Sequence, residues 1–193
     1  MRIVAGAWRG RVLAAPPGSA TRPTSDRLRQ ALFDMIWHAP WGGRDALEGA
    51  AVLDAFAGTG ALALEALSRG AARAVLFERE PAALTALRRN VAACGAEGRC
   101  RVIAADVLRA PRAAAGSACD VVFLDPPYGQ DLIPTALAVL DAAGWIAPAA
   151  LIVAETAREE ALAVPATPLA ERGYGAARVT VWRGAVAAAP PTP

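Results

Sequence analysis

The chain has 193 residues, a hydrophobic fraction of 55% and a formal net charge of +2. This length suits one domain with at most a small appendage, and the composition supplies enough apolar side chains to bury a core. All 20 basic residues are arginines. The absence of lysine excludes a phosphate-binding loop of the Walker type, a Schiff-base enzyme and a lysine general base.

Membrane and metal chemistry are not expected either. The uncharged runs are too short for a membrane helix, and Arg9 and Arg11 interrupt the start of the chain where a signal peptide would need an apolar stretch. We therefore expect a cytoplasmic protein with no membrane partner. The three cysteines lack a C-x-x-C spacing and there is one histidine, so we expect no metal site.

The leading segment, residues 1–44, is basic. It holds seven arginines against two aspartates, a formal charge of +5, whereas the rest of the chain holds 13 arginines against 16 acids. We interpret this segment as a basic N-terminal extension that contacts a polyanion. A solvated arginine-rich surface would have the same composition, so charge alone leaves both interpretations open.

The extension is predicted to contain a hairpin and a helix. Residues 2–4 and 11–13 flank a glycine-bearing turn and are expected to pair as a short β-hairpin. Thr24 or Ser25 is expected to cap a helix, because their side-chain oxygens accept hydrogen bonds from the first backbone N–H groups. That helix has an apolar face at helical spacing and ends before Pro40.

From residue 50 onward, strands and helices alternate. Strands are predicted at 51–56, 74–77, 101–104, 121–124 and 151–154, helices at 60–69, 81–94 and 133–142, and a terminal strand pair at 169–174 and 177–182. This alternation predicts an α/β, Rossmann-like domain over residues 45–184 with a doubly wound, mostly parallel sheet. Residues 185–193 are expected to be a disordered tail. Such sheets bind ligands beyond the carboxyl ends of their strands.

A glycine-bearing turn follows the first strand, in the segment Asp54-Ala-Phe-Ala-Gly58-Thr-Gly60. Glycines at this position let the backbone turn sharply and approach a ligand at the start of a helix. With Ala63 in the third position, the segment also satisfies a loose dinucleotide-binding fingerprint. Glu78 ends the second strand, where a carboxylate can accept both ribose hydroxyls. These features alone fit NAD and S-adenosyl-L-methionine equally well.

Two acids favour S-adenosyl-L-methionine. Asp54 lies at the strand end, where a carboxylate suits the ammonium group of a methionine tail and would repel a pyrophosphate. Asp106 follows the third strand and can accept a hydrogen bond from an adenine amino group, although an ordinary polar loop residue is the alternative. We expect S-adenosyl-L-methionine as the cofactor, bound by Asp54, Gly58, Gly60, Glu78, Asp106 and Val107.

The most specific motif is Asp125-Pro126-Pro127-Tyr128, which directly follows the fourth strand. The prolines restrict the backbone and remove two N–H donors, which leaves the Asp125 carboxylate and a proline carbonyl as a rigid pair of acceptors. Two acceptors suit an amino group with two hydrogens, and Tyr128 suits a flat base that stacks on its ring. Asp125, Pro126 and Tyr128 are therefore the candidate catalytic residues for chemistry on an exocyclic base amine.

These motifs together resemble those of class I methyltransferases that act on amino groups. The segments Val4–Arg11, Thr21–Arg29 and Ala31–Phe33, and the ending Tyr174-Gly175 with Arg178–Arg183, are similar to bacterial small-subunit rRNA guanine-N2 methyltransferases. The resemblance covers about residues 2–183. Gln30 departs from the pattern, since the family commonly has glutamate there.

The resemblance implies a seven-stranded sheet with an antiparallel last strand. It also implies methylation of a guanine in 16S rRNA, within an assembled or assembling small subunit. The cofactor and base positions carry over to the residues named above. For contact with RNA phosphates we select Arg9, Arg11, Arg22 and Arg27, because guanidinium pairs well with phosphate. Arg22 or Arg27 could instead brace the loop of the active site.

Other functions compete with this one. An adenine-N6 nucleic-acid methyltransferase would use a similar acid-Pro-Pro-aromatic site, although the chain has no room for the large target-recognition insert of a DNA enzyme. A small NAD(P)-dependent reductase would lack a lysine for a Tyr–Lys pair and would give no role to Asp125 and Tyr128. A non-catalytic RNA-binding domain is disfavoured because the cofactor positions are intact.

Overall fold

A seven-stranded sheet forms the centre of the computed structural model, which describes residues 1–16, 26–162 and 167–184. Its spatial order is β3-β2-β1-β4-β5-β7-β6; the first five strands run parallel, and β7 is antiparallel to both of its neighbours. This confirms the predicted α/β, Rossmann-like, doubly wound sheet. The strands are β1 Ala51–Asp54, β2 Arg73–Glu78, β3 Cys100–Ala104, β4 Cys119–Leu124, β5 Ile146–Ala157, β6 Ala170–Tyr174 and β7 Ala177–Arg183.

Helices cover both faces of the sheet and divide the core into two layers. Successive residues of a strand point to opposite faces, so Val52 packs in one layer and Leu53 in the other. The first layer contains the apolar faces of α1, α2 and α3, and the second contains that of α4. The helices are α1 Asp26–His38, α2 Ala61–Ser68, α3 Pro81–Ala93 and α4 Leu132–Ala142.

The strands differ from their predicted bounds by one or two residues at an end, except β5, which is much longer. β1 ends at Asp54 instead of residue 56, because the chain leaves the sheet there to begin the glycine turn. β5 begins at Ile146, five residues earlier than predicted, and continues to Ala157. Its pairing with β4 is interrupted by a register shift between Cys119 and Val121. Pro148 lies in this irregular stretch, where a residue without an N–H group is tolerated.

The leading segment packs against α2. The predicted hairpin takes the form of a tight loop closed by one antiparallel bridge between Arg2 and Val12, with a 3-10 turn at Gly6–Trp8. Ile3 is fully buried in the same core layer as α2. A Cβ atom at Gly6 would lie 1.9 Å from the backbone oxygen of Ser68, so this close approach requires glycine.

A buried carboxylate fastens the leading segment to α2. Glu65 accepts hydrogen bonds from the backbone N–H groups of Val4 at 2.7 Å and Ala5 at 3.0 Å. It also pairs with Arg69 at 2.9 Å and lies 3.7 Å from the guanidinium of Arg29. Both arginines are nearly or fully buried. Helix α2 and the leading segment are therefore joined by charge-assisted bonds in the protein interior.

Some predictions fall on residues outside the described ranges. These are the helix cap at Thr24 or Ser25, the RNA-contact residue Arg22, and the disordered tail at 185–193. Within the ranges that the structure describes, no helix is both long and apolar enough to span a bilayer. The same residues contain no cluster of three or more potential metal ligands.

Candidate active site

A cavity of about 780 Å³ opens at the carboxyl edge of the parallel strands. It is bordered by the residues that follow β1, β2, β3 and β4, and by the end of β5. Motifs that are far apart in the sequence meet here, as expected for a doubly wound sheet. Eight of the nine predicted cofactor and catalytic residues line the cavity: Asp54, Gly58, Glu78, Asp106, Val107, Asp125, Pro126 and Tyr128. Gly60 is not a lining residue, although its neighbours Thr59 and Ala61 are.

The glycine turn connects β1 to α2 below the cavity. Gly58 and Gly60 both have positive φ angles, of 52° and 80°. A Cβ atom at Gly60 would lie 2.4 Å from the Cδ1 atom of Leu87, so the Leu87 side chain would have to move to admit a larger residue. The Gly58 N–H group donates to Oε2 of Glu78 at 2.8 Å, which ties the turn to the end of β2. The turn is therefore shaped both by sterics and by the neighbouring strand.

Glu78 organises the backbone around the nucleoside end of the cavity. Its Oε1 atom accepts hydrogen bonds from the N–H groups of Arg79 at 2.7 Å and Glu80 at 2.8 Å. A carboxylate has about four acceptor positions. The N–H groups of Gly58, Arg79 and Glu80 occupy three of them. Because Glu78 lines the cavity, its fourth acceptor position can still accept a hydrogen bond from a ribose hydroxyl.

Asp54 is buried at the base of the cavity. Its Oδ2 atom accepts from the Ala63 N–H group at 3.3 Å, whereas Oδ1 has no hydrogen-bond partner among the described residues. Burial, and then the negative charge of Asp125, raise the pKa of Asp54 to about 7. A cation beside Oδ1 would offset both effects and stabilise the carboxylate. The ammonium group of a methionine tail fits this requirement.

Asp106 lies at the cavity wall with both carboxylate oxygens engaged. Oδ1 accepts from the Leu108 N–H group at 3.0 Å, and Oδ2 pairs with the guanidinium of Arg79 at 2.9 Å. The Leu108 hydrogen bond and the Arg79 charge lower the pKa of Asp106. Val107 is buried beside it and forms part of the apolar floor. Sequence reasoning missed Arg79, which follows Glu78 and closes this side of the cavity.

The Asp125–Tyr128 motif forms the other end of the cavity. Asp125 is half-buried after β4, Pro126 is buried, and the Tyr128 ring is 38% exposed at the mouth. The Tyr128 hydroxyl donates to Oε1 of Glu155 at 2.6 Å. A partly exposed ring beside a carboxylate and a proline carbonyl can stack on a flat base while the two acceptors face its amino group.

Glu155 was missed by sequence reasoning. It lies near the carboxyl end of β5 and is 8% exposed. Burial, and then the charge of Asp125, raise the pKa of Glu155 to about 7. The sequence did contain a signal for Glu155. An acid directly follows the apolar run 151–154, at the same edge of the sheet as Asp54 and Asp125. The predicted strand ends at residue 154, one residue short of this acid.

The predicted RNA-contact residues within the described ranges do not line the cavity. Arg9, Arg11 and Arg27 are exposed, and Arg29 from the same basic segment is buried against Glu65 instead. Residues 1, 15 and 16 line the cavity, so the leading segment borders its mouth. The loop that carries Arg9 and Arg11 instead contacts the far ends of α2 and α3, where the Trp8 N–H group donates to Ser68 at 2.9 Å and Arg11 lies near Cys94.

Comparison with known proteins identifies the family of the chain. Residues 1–183 match the family described as Conserved hypothetical protein 95. The chain is 41% identical over 167 residues to the Ribosomal RNA small subunit methyltransferase D of Escherichia coli (strain K12), which covers 86% of this chain and 80% of that protein. It is 36% identical over 170 residues to the protein of the same name from Haemophilus influenzae, covering 86% and 83% of the two chains.

Solved structures show the same architecture. The structure of yhhF from Escherichia coli is 33% identical, with a TM-score of 0.79, and covers 97% of this chain and 99% of that chain. An RNA methyltransferase from Salinibacter ruber, solved with S-adenosyl-L-homocysteine, is 18% identical with a TM-score of 0.61, covers 89% and 98%, and shares the fold. The family match spans nearly the whole chain and both relatives exceed 30% identity, so the chain belongs to the Conserved hypothetical protein 95 family, a family of class I methyltransferases.

Proposed function

We propose that this protein transfers a methyl group from S-adenosyl-L-methionine to the exocyclic N2 amine of a guanine in 16S rRNA. The observation that carries the proposal is that Asp125, Pro126 and Tyr128 follow β4 on one side of the cavity, Glu78 ends β2 on the other side, and Asp54 lies at the base between them. One end thus has the chemistry for a base amine, and the other has the chemistry for a nucleoside with a cationic tail. The substrate class is supported by the two relatives named as small-subunit rRNA methyltransferases.

The residues at the cofactor end fit S-adenosyl-L-methionine. Asp54 offers a buried carboxylate oxygen without a partner among the described residues, and Glu78 retains acceptor capacity for a ribose hydroxyl. Val107 and Phe77 supply apolar surface for a flat base. When bound, this cofactor supplies an electrophilic methyl group. The S-adenosyl-L-homocysteine in the Salinibacter ruber structure is a product of that chemistry, bound to a protein of the same fold.

The residues at the base end act by position and electrostatics. The Asp125 carboxylate and the Pro126 carbonyl accept the two hydrogens of the target amine, which favours a pyramidal nitrogen with its lone pair available. The Tyr128 ring stacks on the base. As the nitrogen gains its bond to the methyl carbon it develops positive charge, which the Asp125 carboxylate stabilises, and the amine then loses one proton, which that carboxylate or solvent accepts.

The basic leading segment provides the contact with RNA. Arg9, Arg11 and Arg27 are exposed, and the same segment borders the mouth of the cavity. Phosphates bound by these arginines would anchor the RNA on the side of the protein, and a base from another part of the same RNA can enter the cavity. The protein would act in the cytoplasm on an assembled or assembling small subunit.

The test is identification of the methylated nucleoside. The protein is incubated with labelled S-adenosyl-L-methionine and either small subunits that lack the modification or deproteinised 16S rRNA, and the RNA is then digested and separated. We expect label in N2-methylguanosine with at least one of these substrates. Label in N6-methyladenosine would replace the guanine assignment with the adenine alternative, and no transfer to either substrate would contradict the proposal.

A further inference from the structure

A buried carboxyl group at the end of β5 has a defined contact at the active site. Glu155 is 8% exposed, and its Oε1 atom accepts the hydrogen bond from the Tyr128 hydroxyl at 2.6 Å. The distance lies in the range of charge-assisted O–H···O bonds. Glu155 also lines the cavity, together with Asp125 and Tyr128. A carboxyl group is costly to bury, so its placement against one hydroxyl group needs an explanation.

The two partners come from parts of the fold that differ in rigidity. Glu155 lies in the ladder between β5 and β7, paired with Val179. Tyr128 lies in the connection between β4 and α4, and its ring is 38% exposed. An exposed ring on a connection samples several orientations, and restricting them on binding costs conformational entropy. A hydrogen bond to a residue of the sheet removes that freedom before the substrate arrives.

We propose that Glu155 is a positioning residue for the target base, which fixes the plane of the Tyr128 ring by holding its hydroxyl group. This inference rests on the proposed function, because it assigns Tyr128 the role of stacking on the base. It predicts that the hydroxyl of Tyr128 matters only through Glu155. It also predicts that any side chain at position 155 that accepts the hydrogen bond will suffice.

The same connection offers a matched control. Glu160 accepts a weak hydrogen bond from the Gly129 N–H group at 3.4 Å, and another from Ala157 at 3.4 Å. It therefore contacts the backbone of the connection next to Tyr128. Loss of Glu160 should loosen the backbone locally and leave the Tyr128 hydroxyl bonded to Glu155.

The main experiment is a double-mutant cycle on methylation of the RNA substrate. Glu155→Ala and Tyr128→Phe should each lower kcat/KM by roughly tenfold, about the effect of removing one hydrogen bond to a charged group, mainly through KM for RNA. The kcat/KM of the double variant should be no lower than that of either single variant.

Two control variants should keep kcat/KM within about twofold of wild type. They are Glu155→Gln, whose amide oxygen accepts the same hydrogen bond, and Glu160→Ala. Cofactor affinity and the melting temperature of each variant report on folding.

Three kinetic results would overturn the inference while the wild type remains active. They are multiplicative losses in the double variant, wild-type kinetics in Tyr128→Phe, and a loss in Glu155→Gln as large as that in Glu155→Ala. An inactive wild type on both RNA substrates would instead overturn the proposed function and with it the base-positioning role.

A second measurement tests the contact without any substrate. The chain has two tyrosines, so protein labelled with 3-fluorotyrosine should give two fluorine resonances, and Tyr174→Phe assigns them. The Tyr128 resonance should shift towards that of a solvent-exposed tyrosine in Glu155→Ala and stay in place in Glu160→Ala. An unchanged Tyr128 resonance in Glu155→Ala would overturn the inference whatever the outcome of the activity assay.

Discussion

At the scale of single residues, the site depends on carboxyl groups that perturb one another. Burial, and then the charge of Asp125, raises the pKa of both Asp54 and Glu155, so Asp125 lies within electrostatic reach of each. Three acids around one cavity are unfavourable as anions unless a cation is present. A cationic ligand at Asp54 therefore relieves a repulsion that the ligand-free protein contains.

The first prediction concerns the pH dependence of cofactor binding. With a pKa of about 7, Asp54 is mostly protonated at pH 6 and mostly ionised at pH 8 in the ligand-free protein. Because an ammonium group binds the ionised form, affinity for S-adenosyl-L-homocysteine should rise by roughly tenfold across this range. Calorimetry at several pH values measures this rise in affinity.

Two variants serve as controls. Asp54→Asn should bind S-adenosyl-L-homocysteine weakly and show no rise with pH, whereas Glu78→Gln should bind it weakly but still show the rise. A rise that persists in Asp54→Asn would assign the titration to another group.

The second prediction separates the base end from the cofactor end. Asp125→Ala should lower the single-turnover methylation rate by roughly 100-fold or more, the usual effect of removing one preorganised electrostatic partner. Its affinity for S-adenosyl-L-homocysteine should stay within a fewfold of wild type, because Asp125 is expected to contact the target amine. Near wild-type turnover in this variant would rule out the amine-positioning mechanism.

At the scale of elements, α2 joins the cofactor turn to the leading segment. Every residue of α2 is buried, since the sheet covers one side and the leading segment covers part of the other. Glu65 in this helix binds two backbone N–H groups of the leading segment and contacts two buried arginines. The leading segment is thus fastened to the body through buried charge.

The third prediction follows from this arrangement. Glu65→Ala leaves the guanidinium groups of Arg29 and Arg69 buried without their shared carboxylate, which should lower the free energy of unfolding by about 3–5 kcal/mol. The matched control is Glu48→Ala, which removes the exposed partner of Arg44 at 2.7 Å and should cost less than about 1 kcal/mol. Urea denaturation followed by circular dichroism compares the two. Equal losses in both variants would show that the buried network adds nothing beyond a surface pair.

At the scale of the whole molecule, charge is divided between the leading segment and the body. Residues 1–44 carry a formal charge of +5, and the cavity in the body is lined by acids. RNA phosphates should bind to the leading segment and be repelled by the acids that line the cavity. The entering base is therefore the part of the RNA that the cavity accepts.

The fourth prediction tests this division. Reversing Arg9 and Arg11 to glutamate should weaken RNA binding and reduce the slope of log affinity against log salt by roughly 0.7–0.9 for each phosphate that the variant no longer binds. Cofactor affinity should be unchanged, because the cofactor motifs begin at Asp54. The charge-matched control reverses Arg112 and Arg172, two exposed arginines outside the leading segment. An unchanged salt slope in the Arg9 and Arg11 variant would mean that these side chains are solvated surface.

The sequence by itself determined the sheet type and much of the candidate site. Strand and helix periods are local properties, and motifs placed directly after parallel strands must meet at one edge, so Asp54, Glu78 and Asp125 could be assigned to one cavity from spacing alone. The tertiary structure decided which polar groups pair inside. Arg29 is buried although Arg27 and Gln30 are exposed, because Asp26 and Glu65 both lie close to its guanidinium. Glu155 contacts Tyr128 because β4 and β5 are adjacent in the sheet. Such pairings depend on side-chain distances between separate elements, and no local pattern in the chain encodes them.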